Sequence, residues 1–574
     1  MNIIHTMLFS PVFLPLLSAA IILLVKSFCS TRIKRVAEYL GMLFGLVLPV
    51  ILVLQLYPII QQQVFFETVI GAYTQKIGII YRFDGMSLLL ILLAAAITLP
   101  AWVFSRKEGP GHSSFTALLL IQNASIAAIS MTADLFNLFV CLELMGVTAY
   151  VLIATGKKAN AAYASFSYLM LSSSAMVFFL LGTFGLYKLT GSLSYEAIAQ
   201  MLGTLEGKDQ YLALSSLLLI IVPVLLRVAV MPLSLWLVDA HSKAPHAVSA
   251  LLSGVLLKIP LFALLRVFAL SPLSANIALP ISYAGAATAL IGVFLALAQS
   301  DAKQLLAYHS ISQIGYIVSA WGLALHTGIA TKEGSLLLAA SFFNAFSHAL
   351  FKALLFLTIG KTTDAAGSRN VYTLRGANRA LKAEGERFPL TMVCFLVGAF
   401  SISALPPFCG YFSKTLLTYM VKDSLHYTFL TIASVGTVAS FIKLSRIFLP
   451  AKQKQTLPTT TEKKQFSFST HLAFLLLAFA CLATGLFSDT MIDFITSLIA
   501  PSNAATFDSA FFFTQDNLTK SVFTTLSGIL LFGIAISKPG QLILHFLGKK
   551  RGRFSDLFLG FATALGALAL FAFP

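Results

Sequence analysis

In the apolar run NAFSHALFKALLF, Asn344, His348 and Lys352 stand four residues apart. On an α-helix that spacing sets an amide, an imidazole and an ammonium on one face. Imidazole gains and loses protons near neutral pH, and an amine held out of water gives up its proton more readily than one in bulk solvent. A row of such groups with water between them can pass protons. A second row lies in YHSISQIGY, where His309, Ser312, Gln313 and Tyr316 follow at i, i+3, i+4 and i+7. A single histidine in such a segment reads equally well as a hydrogen-bonded packing group. Two polar rows on separate apolar segments read as a path.

Four more charges stand inside apolar runs. Glu143 follows Asp134 by nine residues, and Lys258 follows Pro245 by thirteen. Lys414 comes two helical turns after Pro406-Pro407, and Arg227 stands five residues before Pro232. A charge at the centre of a membrane helix costs roughly 2.5–3.5 kcal/mol, so it faces protein or water rather than lipid. Glu143 reads as one partner of a charge pair that modulates proton movement. Lys258 reads as an exchanging group, and Lys414 as a terminal proton site. A guanidinium keeps its proton, so Arg227 reads as a fixed positive charge that can pair with Glu143. The link WLVDAHSKAPHA adds Asp239, His241, Lys243 and His246. Two readings stay open for it: a point of proton uptake or coupling, and a tight turn whose charges neutralise each other. Asp84 in RFDGMSLLL reads as a helix cap.

The elements that must position these residues are membrane helices. The chain is 58% hydrophobic and 11% charged, against ~45–50% apolar and ~25% charged in soluble domains. Sixteen apolar runs recur, at 7–26, 36–59, 84–104, 115–132, 134–155, 163–188, 211–232, 245–270, 278–300, 303–324, 334–360, 389–421, 427–449, 469–498, 521–544 and 556–573. Each can cross a hydrocarbon core of ~30 Å as a helix. The alternation that marks a membrane β-barrel is absent. This predicts an all-α polytopic membrane protein.

The loops alternate in charge. One set carries Lys26, Arg32, Lys34 and Arg35; Arg106 and Lys107; Lys157 and Lys158; Lys243; Lys303; the stretch from Lys361 to Arg387; Lys452, Lys454, Lys463 and Lys464; and Lys549, Lys550, Arg551 and Arg553. The other set carries only scattered cations such as Lys76, Lys208, Lys332, Lys422 and Lys520. By the positive-inside rule the basic loops lie inside, which predicts an N-terminus outside a bacterial cytoplasmic (inner) membrane. The same rule accounts for the net charge of +17 without a nucleic-acid partner. No Lys or Arg precedes the first run, so it reads as a retained helix and not as a signal peptide. The five cysteines have neither metal nor disulfide spacing. There is no Walker loop and no dinucleotide fingerprint, so neither a cofactor nor a metal site is expected, and no enzymatic chemistry of the chain's own.

Proline breaks divide the chain. One falls near Pro232 in the seventh run and the other at Pro406-Pro407 in the twelfth. They suggest a three-helix section at 1–110, five-helix units at 111–275 and 276–450, and a C-terminal section at 451–574. An odd number of helices per unit makes the second unit inverted relative to the first, a plan that places sites where broken helices meet.

The segments LFNLFVCLELM, PLSLWLVDAHSKAPHAVSALLSGVLLK, QSDAKQLLAYHSISQIGY, SHALFKALLFLTIG and ALPPFCGYFSK together resemble the antiporter-like membrane subunits shared by Mrp-type multisubunit Na+/H+ antiporters and respiratory complex I. The likeness runs over roughly residues 80–450. It implies a core of about fourteen helices with two inverted five-helix repeats and broken helices 7 and 12. About two further helices follow at the C-terminus. It also implies proton movement along a row of buried charges, in a complex with other membrane subunits and with Na+ as a candidate exchanged ion. By resemblance Glu143 takes the fifth-helix glutamate position, Lys258 the eighth-helix lysine, Lys352 the eleventh-helix region and Lys414 the twelfth-helix lysine. The family's seventh-helix lysine is Arg227 here. The pattern is similar to the Mrp D-type and the complex I N- or M-type subunits. Three roles are compatible with it: a subunit of a cation/proton antiporter, a pumping subunit of an NADH:quinone oxidoreductase or membrane hydrogenase without its own redox centre, and the energising subunit of an inorganic-carbon uptake complex.

Overall fold

A computed structural model describes residues 3–62, 65–70, 78–156, 160–272, 274–422, 424–450, 467–500, 509–549 and 554–573. Several of the loop cations used above lie outside the described residues: Lys76, Lys157, Lys158, Lys452, Lys454, Lys463, Lys464, Lys550, Arg551 and Arg553.

Among the described residues sixteen helices, two of them split, follow the expected runs, and thirteen helices are long and apolar enough to cross a membrane. The first two are α1 (Ile3–Phe28) and α2 (Thr31–Leu54). A hairpin of β1 (Phe66–Ile70) and β2 (Ile79–Phe83) then leads into α3 (Gly85–Glu108). Asp84 caps α3 by accepting the Ser87 N–H at 2.9 Å, as its place in the sequence suggests. There follow α4 (Ser113–Met131), α5 (Leu135–Ala154) and α6 (Ala161–Thr190). Helix α7 comes in two parts, α7a (Gly207–Val228) and α7b (Leu235–Lys243). Next are α8 (His246–Phe268), α9 (Ser274–Ala298), α10 (Ala302–Thr327) and α11 (Lys332–Ala366). Helix α12 is again split, into α12a (Leu390–Ile402) and α12b (Cys409–Met420). The series closes with α13 (Leu425–Ser445), α14 (Phe468–Leu486), α15 (Gln515–Ile536) and α16 (Phe554–Ala572). Helices α8 and α11 form the centre, their apolar stretches wholly buried by their neighbours.

Three boundaries differ from the expected runs. The run at 211–232 stops at Val228, and the expected link resumes as helix α7b. The run at 469–498 turns at Phe487 into a second helix, Ser488–Ile499. The run at 521–544 ends at Ile536, and a separate helix, Lys538–Lys549, starts with Pro539 in its first turn, where a missing N–H costs nothing.

The two breaks share one backbone pattern. Ala229 (φ 64°) and Ala404 (φ 57°) each adopt a left-handed conformation, three residues before Pro232 and Pro407 respectively. Both fall in the fourth helix of their expected five-helix unit. Backbone freed at membrane depth must be satisfied by protein. Thr288 Oγ1 on α9 accepts the Met231 N–H at 3.1 Å, and Trp236 Nε1 donates to Leu226 O at 2.9 Å. The last two helices rest on these breaks. Ser521 of α15 donates to Ala404 O at 3.5 Å, and Gly560 of α16 lies against Pro232.

Close approach of α9 and α10 sets the depth of the YHSISQIGY row. A Cβ on Gly315 would stand 2.3 Å from Ala289 N, and one on Gly285 2.5 Å from Ser319 N. Small residues at such crossings let helix backbones touch in a membrane. Gly315→Leu is therefore expected to cost more than the ~1–3 kcal/mol of ordinary overpacking, because backbone cannot yield as a side chain can. Fluorescence-detected size exclusion of the detergent-solubilised variant should show loss of the monodisperse peak.

Candidate functional site

The first group lies between α5 and α7a. Arg227 occupies the last turn of α7a, where a cation complements the helix dipole. Its Nη1 donates to Leu142 O at 2.6 Å, and its Nη2 forms an ion pair with Glu143 Oε1. Gly146 makes the room: a Cβ there would stand 2.9 Å from Nη1. Arg227 is buried, whereas the Glu143 side chain is 25% exposed. Glu143 lies among the exposed residues Phe136, Val140, Leu144 and Val147 of α5.

The second group joins α8, α10 and α11. Within α8, residues Leu252–Leu256 form a π-helical turn. Such a turn shifts the hydrogen-bond ladder and releases carbonyls from their usual donors. Lys258, fully buried, takes two of them: Nζ donates to Ser253 O at 2.5 Å and Gly254 O at 2.8 Å. Ser253 Oγ meets Ser310 Oγ of α10 at 2.7 Å. Ser310 Oγ also reaches Leu306 O at 3.2 Å, and Lys352 Nζ of α11 donates to the same carbonyl at 2.5 Å. Ser253, Ser310 and Leu306 O thus stand between Lys258 and Lys352, with Ser253 meeting Lys258 at its carbonyl and Ser310 at its hydroxyl. Lys352 Nζ also lies 5.1 Å from the Phe356 ring centre, and Phe356 stacks on His241 at 4.7 Å.

The third group continues toward α12b. His309, Gln313, Asn344 and His348 are fully buried. Both ring nitrogens of each histidine, both amide atoms of Gln313 and the Asn344 amide nitrogen have no hydrogen-bond partner among the described residues. Buried polar atoms in folded proteins are satisfied, and in roomy polar sites ordered water does it. Ser413 donates to Asn344 Oδ1 at 3.4 Å, one residue before Lys414. Lys414 Nζ donates to Ile402 O, at the α12 break, at 2.7 Å and lies 5.0 Å from the Tyr316 ring centre. Ser312 and Tyr316 are structurally engaged, with Ala289 O at 2.8 Å and Leu430 O at 2.6 Å.

The link residues separate. His241 is not in a loop: α7b carries it into the core, fully buried, with neither ring nitrogen partnered among the described residues. The apolar residues Leu235, Trp236, Leu237 and Val238 continue the membrane helix past the break, which moves the loop C-terminal to His241. Asp239 is exposed and Lys243 half-buried, so neither joins the row. His246 Nε2 contacts Asp364 Oδ2 at 2.9 Å. Two buried lysines escaped the sequence reading. Lys303, counted as a loop cation, holds Ala244 O, while Lys443 Nζ donates to Leu297 O at 2.6 Å and Gln299 O at 2.7 Å. Each sits at a helix end and holds carbonyls there. The IKLSR segment after an apolar run is the signal that marks Lys443.

Residues 132–440, more than half of the chain, match the family described as NADH:quinone oxidoreductase/Mrp antiporter, transmembrane region. The chain belongs to this family. Its relatives in the NADH:quinone oxidoreductase/Mrp antiporter family include the N-type NADH-quinone oxidoreductase subunit of Desulforudis audaxviator, 33% identical over 64% of this chain and 72% of that protein. Another is the D-type Na(+)/H(+) antiporter subunit of Alkalihalophilus pseudofirmus, 28% identical over 67% and 76% of the two chains. The fold matches a chain of the Mrp complex from a Dietzia species with a TM-score of 0.74, at 24% identity, over 88% of this chain and 99% of that one. It also matches a chain of the membrane-bound sulfane sulfur reductase, an archaeal respiratory membrane complex, with a TM-score of 0.71, at 23% identity, over 87% of this chain and 99% of that one. With its apolar helices, membership of this family makes the chain an integral membrane protein.

Proposed function

We propose that this chain is the proton-conducting membrane subunit of a multisubunit monovalent cation/proton antiporter. The observation that carries the reading is the buried polar cluster in which Ser253, Ser310 and Leu306 O stand between Lys258 and Lys352. Lysines hydrogen-bonded to carbonyls, with no ion-paired carboxylate among the described residues, are groups that can be emptied and refilled with protons. Residues 111–275 and 276–450 act as two half-channels of inverted sense. Arg227 keeps its charge, and a shift in its distance from Glu143 changes the field felt by Lys258. The proton then passes to Lys352, across the His348 and His309 nitrogens with water, and out by Lys414. His241, stacked on Phe356, takes protons from the basic-loop side, which is the inside, with the N-terminus outside a bacterial cytoplasmic membrane.

The Glu143 face of α5 supports a neighbouring subunit. A quarter-exposed carboxylate among lipid-facing Phe136, Val140 and Val147 is costly unless protein covers it. Sodium exchanged for the proton binds on this chain or on that neighbour.

A second reading rests on the N-type relative: a pumping subunit of a redox-driven complex. One experiment separates the two. Everted vesicles carrying the whole complex, with and without this chain, are acidified and then given NaCl or KCl while a pH-sensitive dye reports the gradient. Cation-induced collapse that requires the chain supports the antiporter. No cation response, with NADH-driven acidification that requires the chain, overturns it in favour of the redox pump.

A further inference from the structure

A cavity of about 840 Å³ opens at the end of the bundle opposite the basic loops. Charged residues ring it: Glu67, Arg82, Asp84, Glu196 and Arg266. Arg266 and Asp84 are tied by two contacts of 3.0 Å, which fixes the mouth. The floor is apolar, made by Leu265, Leu338 and Phe342. Phe342 of α11 stacks on Phe262 of α8, ring centres 3.7 Å apart and planes 21° apart. Both rings are fully buried. Below them, each helix carries a member of the polar row. Lys258 precedes Phe262 by one helical turn, and His348 follows Phe342 by six residues, about 9 Å of helix. One aromatic pair therefore lies between a wide, charge-rimmed vestibule and the buried row.

We propose that Phe262 and Phe342 form the gate between this vestibule and Lys258, so that the first half-channel has its own outward opening. This rests on the proton-path reading above. Closed, the stacked rings exclude water and stop a passive leak. When one ring swings aside, water from the vestibule reaches the Lys258–His348 level.

The test uses the full complex in membrane vesicles with the vestibule side facing the medium. A membrane-impermeant thiol reagent is applied to Lys258→Cys, to Lys258→Cys/Phe342→Ala and to Leu338→Cys, each read against the unsubstituted chain. Leu338→Cys should react. Lys258→Cys alone should be protected, and adding Phe342→Ala should speed its labelling at least tenfold. Phe262→Ala provides a second, independent opening should Phe342→Ala fail to assemble. An unreactive Leu338→Cys overturns the vestibule, and an unchanged rate at Lys258→Cys in both opened variants overturns the gate. With Lys258 intact, Phe342→Ala should add a cation-independent proton leak. Faster labelling without that leak upholds the gate and overturns the proton path through Lys258 instead.

Discussion

Replacing Lys352 with alanine is expected to lower coupled proton flux roughly 100-fold, the scale of losing one positioned proton-transfer group. Lys352 is the ammonium at the meeting point of the α8–α10 chain and the His348 row. Without it, Leu306 O still accepts from Ser310 Oγ at 3.2 Å, so no backbone group is orphaned. Loss of a buried charge also removes a desolvation cost, so the bundle should assemble normally. Lys352→Met, which restores most of the volume, should be equally inactive and no less stable. Lys352→Arg should keep the charge and still fail, because a guanidinium does not release its proton. Flux in vesicles and the size-exclusion profile of each variant check both halves of this expectation.

Arg227→Ala is expected to destabilise the complex by about 3 kcal/mol, the low end of the range for breaking a buried pair. It sits at the low end because Glu143 is 25% exposed and regains some hydration. The loss has two parts: Glu143 is left as an uncompensated charge at membrane depth, and Leu142 O loses a 2.6 Å donor. Removing both charges in Glu143→Gln/Arg227→Met should recover most of the stability, as replacing whole buried pairs often does. Thermal melting of the purified complex measures all three forms. Arg227→Lys tests the mechanism on the same site. A lysine there can release its proton, so proton flux should rise above that of the unsubstituted chain.

Helix order was legible because membrane helices must be long and apolar, a constraint that survives folding. Helix α10 follows the run at 303–324 and forms over 26 residues although His309, Ser312 and Gln313 interrupt its apolar pattern. Both breaks were legible from proline. The continuation of α7 as α7b was not, since WLVDAHSKA is polar enough to pass for a loop, and His241 was placed too shallow. The π-helical turn that sends Lys258 back to Ser253 O leaves no mark in LLSGVLLK. The Ser253–Ser310 contact joins residues 57 apart, and only packing brings them together. Phe262 and Phe342 are two of 49 phenylalanines, and nothing local distinguishes a gate from a core ring.

The central claim is that Lys258 and Lys414 stand in series on one proton path. Cation-dependent proton flux through the whole complex, measured in vesicles for Lys258→Ala and Lys414→Ala separately, tests it most directly. The account predicts that either substitution alone abolishes coupled flux while the complex remains assembled. Flux that stays coupled and undiminished in both variants would contradict it.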